Sequence, residues 1–306
     1  MTDAVLLTGA SGYVGGALAQ TLGRAGRNVV LAGRGGDCAV GLDLNDPVAI
    51  RESVLPKGVS ALVHCAALNE IACASDPVAA FTANVTATRV LLDAAIVAGV
   101  DRLIYLSTFH VFGRPAGILT ESVAPEPAND YGATHRFAEE LFLMAARARG
   151  VRAYILRPSN LYGAPASWER FGRWTLAPFD FMRQALTTGE IVLRTDGSPI
   201  RNYVSLEALG RTVLAALAGE LGAGVVHVAG RSWSMLALAQ RVADVARGLG
   251  AGEIRIHTGN VHPEEAPYSF GSVVQVPEAD DDGARMDAFL KDVARYLLSV
   301  RRLGHE

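Results

Sequence analysis

Cysteine is scarce and odd in number. The 306-residue chain has three, Cys38, Cys65 and Cys73, which lack the paired spacing of a metal site and the even count of a disulfide framework. They read as thiols in a reducing compartment, and no metal is expected. No positively charged segment precedes the short apolar opening, and no uninterrupted apolar run reaches the eighteen or so residues of a membrane helix. The expectation is a cytoplasmic protein without a membrane partner. Basic surplus is missing as well: 28 Lys and Arg against 31 Asp and Glu leave a net charge of -3, so no whole-molecule field draws the chain to nucleic acid. What is abundant is apolar side chain, 50% of the residues, enough for a large core and too much for disorder.

The first half alternates short β-rich runs with longer helical patterns, the mark of βαβ units. Strands are predicted at Ala4-Thr8, Asn28-Ala32, Ala39-Leu42, Ala61-Cys65, Leu103-Ser107 and Ala153-Leu156. Because these runs are continuously apolar rather than alternating, helices must cover both faces. The fold class is therefore α/β, a doubly wound parallel (Rossmann) sheet with a smaller C-terminal substrate lobe. Val14, Leu18 and Leu22 share one helical face, and Phe81 to Ala98 and Phe137 to Ala148 read as further amphipathic helices. After Gly163 the pattern loosens into loop signals and aromatics before a helix around Phe181-Leu186, and Gly224-Ala229 returns as a strand. A dinucleotide-binding domain over 1-163, completed by about 199-230, and a lobe from about 164-198 and 231-306 follow. Residues 258-283 read as a long connection. Asp280 to Asp282 then precede a last helix with Met286, Phe289, Leu290 and Val293 at helical spacing.

Gly9, Gly12 and Gly15 stand between the first strand and the first helix, in the run Thr8-Gly-Ala-Ser-Gly-Tyr-Val-Gly15. Glycine there lets backbone N–H groups and a helix N-terminus approach a pyrophosphate. An ordinary tight turn is the bland alternative. At the end of the second strand an acid would accept bonds from ribose hydroxyls, whereas a cation would take a 2′-phosphate. The chain has Gly33-Arg34, which favours NADP and leaves NAD open, since Arg34 could also be a solvated loop charge.

These motifs, and others in order behind them, resemble the extended short-chain dehydrogenases, the NAD-dependent epimerase/dehydratase family acting on sugar nucleotides. His64-Cys65-Ala66-Ala67 is similar to the small-residue stretch beside the cofactor, Asn84-Val-Thr-Ala-Thr88 to the Asn-Val-x-Gly-Thr helix opening, and Leu106 to Gly113 to Ser-Ser-x-x-Val-Tyr-Gly. Arg157-Pro-Ser-Asn160-Leu-Tyr-Gly163 matches Arg-Pro-x-Asn-x-Tyr-Gly, and Arg201-Asn-Tyr-Val204 resembles Arg-Asp-Tyr-Val. The resemblance covers roughly residues 1-240. It implies a cofactor site at Gly9, Ser11, Gly12, Tyr13, Val14, Gly15, Arg34, Asp43, Leu44, Cys65, Ala66, Ala67, Tyr131, His135 and Pro158. It implies catalysis by Thr108 and Tyr131, and substrate binding by Thr108, with Asn160 and Arg201 on the diphosphate of a nucleoside-diphosphate sugar. Relatives pair through two helices, so a homodimer through residues 84-98 and 132-148 is expected.

The resemblance breaks at an informative place. The family pattern is Tyr-x-x-x-Lys, and here Tyr131-Gly-Ala-Thr-His135 puts histidine on the tyrosine's helical face, about 40° away. A charged His135 would help form tyrosinate; a neutral one would only orient cofactor hydroxyls. Phe109 and His110 stand where the family's 4,6-dehydratases carry Asp-Glu, which argues against dehydration, though His110 could serve as a base. The expected chemistry is hydride transfer at a sugar carbon, ketoreduction slightly ahead of epimerisation. A non-catalytic NADP sensor and a reductase of a non-nucleotide carbonyl are the alternatives.

Overall fold

The computed structural model describes residues 3–53, 55–261, 266–274 and 282–303. In β1 (Ala4–Thr8) every residue is buried, and successive side chains enter opposite layers: Ala4 and Leu6 join one core cluster, Val5 and Leu7 another. A strand buried on both faces belongs in the middle of a covered sheet. The remaining strands are β2 (Asn28–Gly33), β3 (Val40–Gly41), β4 (Val59–His64), β5 (Arg102–Leu106), β6 (Gly117–Leu119), β7 (Arg152–Pro158), β8 (Asn160–Tyr162), β9 (Glu190–Val192), β10 (Ile200–Ser205), β11 (Gly224–Val228), β12 (Arg231–Ser234), β13 (Arg255–His257) and β14 (Tyr268–Phe270). The helices are α1 (Tyr13–Arg24), α2 (Pro47–Glu52), α3 (Glu70–Ser75), α4 (Pro77–Phe81), a π-helical turn (Thr82–Ala87), α5 (Thr88–Val97), α6 (Asp130–Arg149), α7 (Ala177–Thr188), α8 (Leu206–Ala218), α9 (Met235–Gly248) and α10 (Asp282–Leu303).

Seven strands form one parallel sheet in the order β11-β7-β5-β4-β1-β2-β3. Leu91, Leu92 and Phe142 of α5 and α6 cover one face; Leu18, Leu22, Leu209 and Val213 of α1 and α8 cover the other. The chain runs outward in both directions from β1, so the crevice between β1 and β4 is the topological switch point where such sheets bind ligands. A separate core of Phe179, Met182, Leu238, Val242, Phe289 and Leu290 joins α7, α9 and α10. It lies beside the three-stranded sheet β12-β10-β8.

Several local expectations change. The strand predicted at Ala39-Leu42 is two residues long, pairing only Val40 and Gly41 with the edge of β2. The helix predicted from Phe81 to Ala98 is interrupted by the π-helical turn, whose Asn84 side chain is buried and spent on its neighbours: Oδ1 accepts from Leu68 N (2.7 Å) and Nδ2 donates to Thr134 Oγ1 (3.1 Å). Such turns recur where a helix yields its regular ladder to place a side chain. Pro77–Val97 is long and apolar enough for a membrane span, with a mean hydropathy of 1.3, yet its inner stripe of Ala80, Ala83, Ala87 and Leu91 is buried within the protein. The connection 258-283 contains β14, which pairs in parallel with β6; Pro263, Pro277, Asp280 and Asp281 lie outside the described residues.

Candidate active site

The glycine loop is shaped by contacts that admit no side chain. Gly9 has φ +77°, and a Cβ there would sit 2.8 Å from Ala66 N; one on Gly15 would sit 2.2 Å from Gly9 O. The loop therefore lies against β4 and against α1 at once. Gly12 caps α1 without any side-chain acceptor, and no acid occupies the first turn. The free amides and positive end of a 12-residue helix are left for an anion. This cradle fits a dinucleotide pyrophosphate.

Beneath the loop, hydroxyl and imidazole lock β1 to β4. Thr8 Oγ1 accepts from Cys65 N (3.1 Å) and Ala66 N (3.2 Å), so its one hydrogen goes to His64 Nδ1 (2.8 Å), and His64 Nε2 donates to Thr88 Oγ1 at 3.0 Å. Burial lowers the His64 pKa to about 4. Burial also pushes the Cys65 thiol upward, which makes it a wall of the site rather than a nucleophile.

The side of the cleft that holds Thr108 and Tyr131 comes from the end of β5 and the start of α6. Thr108 opens a short 3-10 turn, where its Oγ1 accepts from His110 N at 3.2 Å. Asn129 caps α6 through Gly132 N at 2.8 Å. A Cβ on Gly132 would lie 2.4 Å from His110 O, so glycine beside Tyr131 is what lets the helix close on the turn. Below them Glu139 and Arg157, 0% and 2% exposed, form a bidentate pair at 2.8 and 2.7 Å, and Ser107 Oγ donates to the same carboxylate at 2.5 Å. The pair fastens α6 to β7 and β5, and such pairs are costly to break singly.

A cavity of about 370 Å³ lies over these elements. Of the residues predicted for the site, it is lined by Gly9, Gly12, Tyr13, Val14, Gly15, Cys65, Ala67, Thr108, His110, Tyr131, His135, Pro158 and Asn160. Ser11, Arg34, Asp43, Leu44, Ala66 and Arg201 are outside its lining. Arg34 is exposed past β2, and Asp43 holds Asn45 at 3.0 Å. Arg201 sits opposite Trp233 on β10, and its charge is felt at His110 and Tyr203. Asn160 Nδ2 donates to Asn202 O at 2.9 Å, which spends one of its two amide hydrogens. Tyr13 donates to Gly163 O at 2.9 Å and ties the glycine loop to the lobe.

Protonation states give the site its character. Burial, and after it Glu70, raise the Tyr131 pKa to about 12 against the opposing Thr108 hydrogen bond and Arg173. Burial, with smaller contributions from His64 and His110, lowers His135 to about 3. Of the two expectations for His135, burial favours the neutral imidazole: its ring is 4.5 Å from that of Tyr131 and only 3% exposed, and burial works against its charged form. Nor does another ammonium replace it. The two lysines, Lys57 and Lys291, do not line the cavity. His110 faces Tyr131 edge-on at 5.7 Å, and loss of hydration lowers its pKa.

Sequence reasoning missed Glu70 and Arg173, which line the cavity and pair at 2.6 Å across 103 positions. No motif marks either; only the approach of the lobe to α3 brings them together. Ser159 and Tyr203 were missed too, although each is adjacent in sequence to, or two residues from, a motif residue.

Fold and site define a dinucleotide-binding enzyme with a buried tyrosine, Tyr131, lining a cavity at the switch point of a parallel sheet. The chain belongs to the NAD dependent epimerase/dehydratase family, whose pattern matches residues 5–229. It is 32% identical over 259 residues to a dTDP-4-dehydrorhamnose reductase of Streptomyces griseus, covering 82% of this chain and 78% of that one. It is 33% identical over 134 residues to a UDP-glucose 4-epimerase of Rhizobium meliloti (strain 1021), covering 43% and 40%. Among solved structures, MoeE5 in complex with UDP-glucose and NAD superposes with a TM-score of 0.77 at 23% identity, over 97% of this chain and 99% of that one. A nicotinamide dinucleotide is thus the cofactor class.

Proposed function

We propose that this enzyme is a ketoreductase of nucleoside-diphosphate sugars. The observation that carries the direction is the similarity to a dTDP-4-dehydrorhamnose reductase over most of both chains. Burial raises Tyr131 and lowers His135, so the resting pair is a protonated phenol beside a neutral imidazole, with a proton available to give. Reduction needs that form. A reduced dinucleotide held by the glycine cradle would supply hydride for the carbonyl carbon, and Tyr131 would give its proton to the carbonyl oxygen, so that C=O would become CH–OH. Thr108 hydrogen-bonds the same oxygen. Epimerisation would instead begin by removing a hydroxyl proton, for which the tyrosine must first be ionised.

Arg201 and Asn160 are proposed to hold the substrate diphosphate, and Arg34, with no acid at the end of β2, to favour NADP over NAD. A homodimer is proposed through α4, α5 and α6, where Phe81, Phe137, Met144 and Val97 are 38%, 56%, 44% and 88% exposed and Phe81 meets Phe137 edge-on at 5.9 Å. Assay of thymidine- and uridine-diphosphate 4-ketosugars with reduced dinucleotides tests the reading. The expected result is stoichiometric oxidation of NADPH, faster than of NADH, with Arg201→Ala weakening substrate about ten- to a hundredfold. Interconversion of UDP-glucose and UDP-galactose without net cofactor consumption would overturn it.

A further inference from the structure

The position that breaks the family pattern is wired from below. His135 Nδ1 lies 2.6 Å from the hydroxyl of Tyr105, a β5 residue that is 2% exposed and stacked on Phe142 with ring centroids 4.9 Å apart. The other ring nitrogen, Nε2, is buried without a protein partner, and His135 lines the cavity whereas Tyr105 does not. One nitrogen is therefore tied into the core, and the other is left without a protein partner on a residue that lines the cavity.

Counting donors decides where the proton sits. His135 is the one hydrogen-bond partner of the Tyr105 hydroxyl among the described residues. Were Nδ1 to carry the hydrogen, it would donate to the phenol oxygen and strand both the phenol hydrogen and a bare Nε2. With Tyr105 as donor, Nδ1 accepts and only an Nε2–H is left over. An additional buried orphan disfavours the first arrangement by a factor of about ten or more. The remaining N–H meets a need if a hydroxyl-bearing ligand fills the cavity.

We infer that Tyr105 is a positioning residue: its hydroxyl fixes His135 as the Nε2–H tautomer and so presents one hydrogen-bond donor to the nicotinamide ribose, where the family pattern has lysine. This rests on the reading that the cavity takes the nicotinamide end of the cofactor. A lysine brings charge and three donors; this pair brings direction and no charge. The hydrogen-bond partner on the far side of the ring selects which nitrogen is offered, as in metal sites.

Nitrogen-15 spectra of the histidine-labelled, cofactor-free protein test the lock without any turnover. The His135 signals, assigned by their loss in His135→Gln, are expected to show a protonated Nε2 and an unprotonated, hydrogen-bonded Nδ1. In Tyr105→Phe the second tautomer is expected to become populated. A protonated Nδ1 in the unmodified protein, or no change in Tyr105→Phe, overturns the lock. Calorimetric titration with NADP⁺ and NAD⁺ tests the ribose contact separately. His135→Gln places an amide Nε2 at similar reach and should bind within about twofold of the parent, whereas His135→Asn, which reaches only as far as Nδ1, and Tyr105→Phe should lose between about two- and tenfold. Equal binding by the Gln and Asn variants overturns the ribose contact even where the spectra uphold the lock. Should Tyr105→Phe fail to fold, the parent spectrum and the Gln/Asn pair still decide both points.

Discussion

His64, at the end of β4, and His135, on α6, flank Tyr105, each with its ring centroid 5.8 Å from the tyrosine's. Both are buried, 1% and 3% exposed, and burial keeps both neutral at pH 7. They differ in what their nitrogens do. His64 is saturated by Thr8 and Thr88 and pins β1, β4 and α5 together. His135, which lines the cavity, has one nitrogen satisfied by Tyr105 and one buried without a protein partner. Neither burial nor protonation state separates a structural histidine from one that faces a ligand. The completeness of its hydrogen bonding does.

The strongest way to break the comparison is on the catalytic side. Tyr131→Phe removes the proton donor and nothing that fastens the fold, so turnover is expected to fall by about 10³-fold while calorimetry finds cofactor affinity nearly unchanged. A comparable loss of affinity would make Tyr131 a binding residue. On the saturated side, Thr8→Val keeps shape but strands Cys65 N, Ala66 N and His64 Nδ1. About 3 kcal/mol of stability should be lost in urea unfolding, clearly more than for Tyr105→Phe, which strands one nitrogen. Equal losses would mean that the two histidines are wired alike.

These contrasts also show what could be seen in the residues beforehand. The sheet was legible because its strands are continuous apolar runs, and the glycine loop because Gly9 and Gly15 leave no room for a Cβ. Tyr131 and His135 fall on one helical face by spacing alone. Their charges were not legible, since the pKa of His135 is set by burial beside the rings of Tyr105 and Tyr131, which a local pattern does not reveal. Three-residue strands such as β6 and β14 carry no periodicity, and their pairing spans some 150 positions. Glu70 and Arg173 meet only because the lobe folds back over α3.

A smaller effect sharpens the comparison through acid. His64 and His135 have folded pKa values of about 4 and about 3, below the 6.5 of an unfolded histidine. The unfolded chain therefore binds more protons as pH falls below 6.5, and stability is full above that value and lost on the way down. By pH 5 each histidine should cost about 2 kcal/mol. Chemical denaturation at pH 7 and pH 5 should show His135→Gln losing about 2 kcal/mol less than the parent on acidification. An equal loss in both would place His135 in contact with water.

The most direct test of the central claim, that a neutral His135 serves a protonated Tyr131, is the pH dependence of kcat/KM for ketone reduction in the parent and in His135→Gln between pH 6 and 9. The two profiles are expected to have the same shape and to differ at most by a constant factor, because no group at position 135 titrates in that range. A limb present in the parent and absent from His135→Gln would mean that the histidine carries charge during turnover, and would contradict the account.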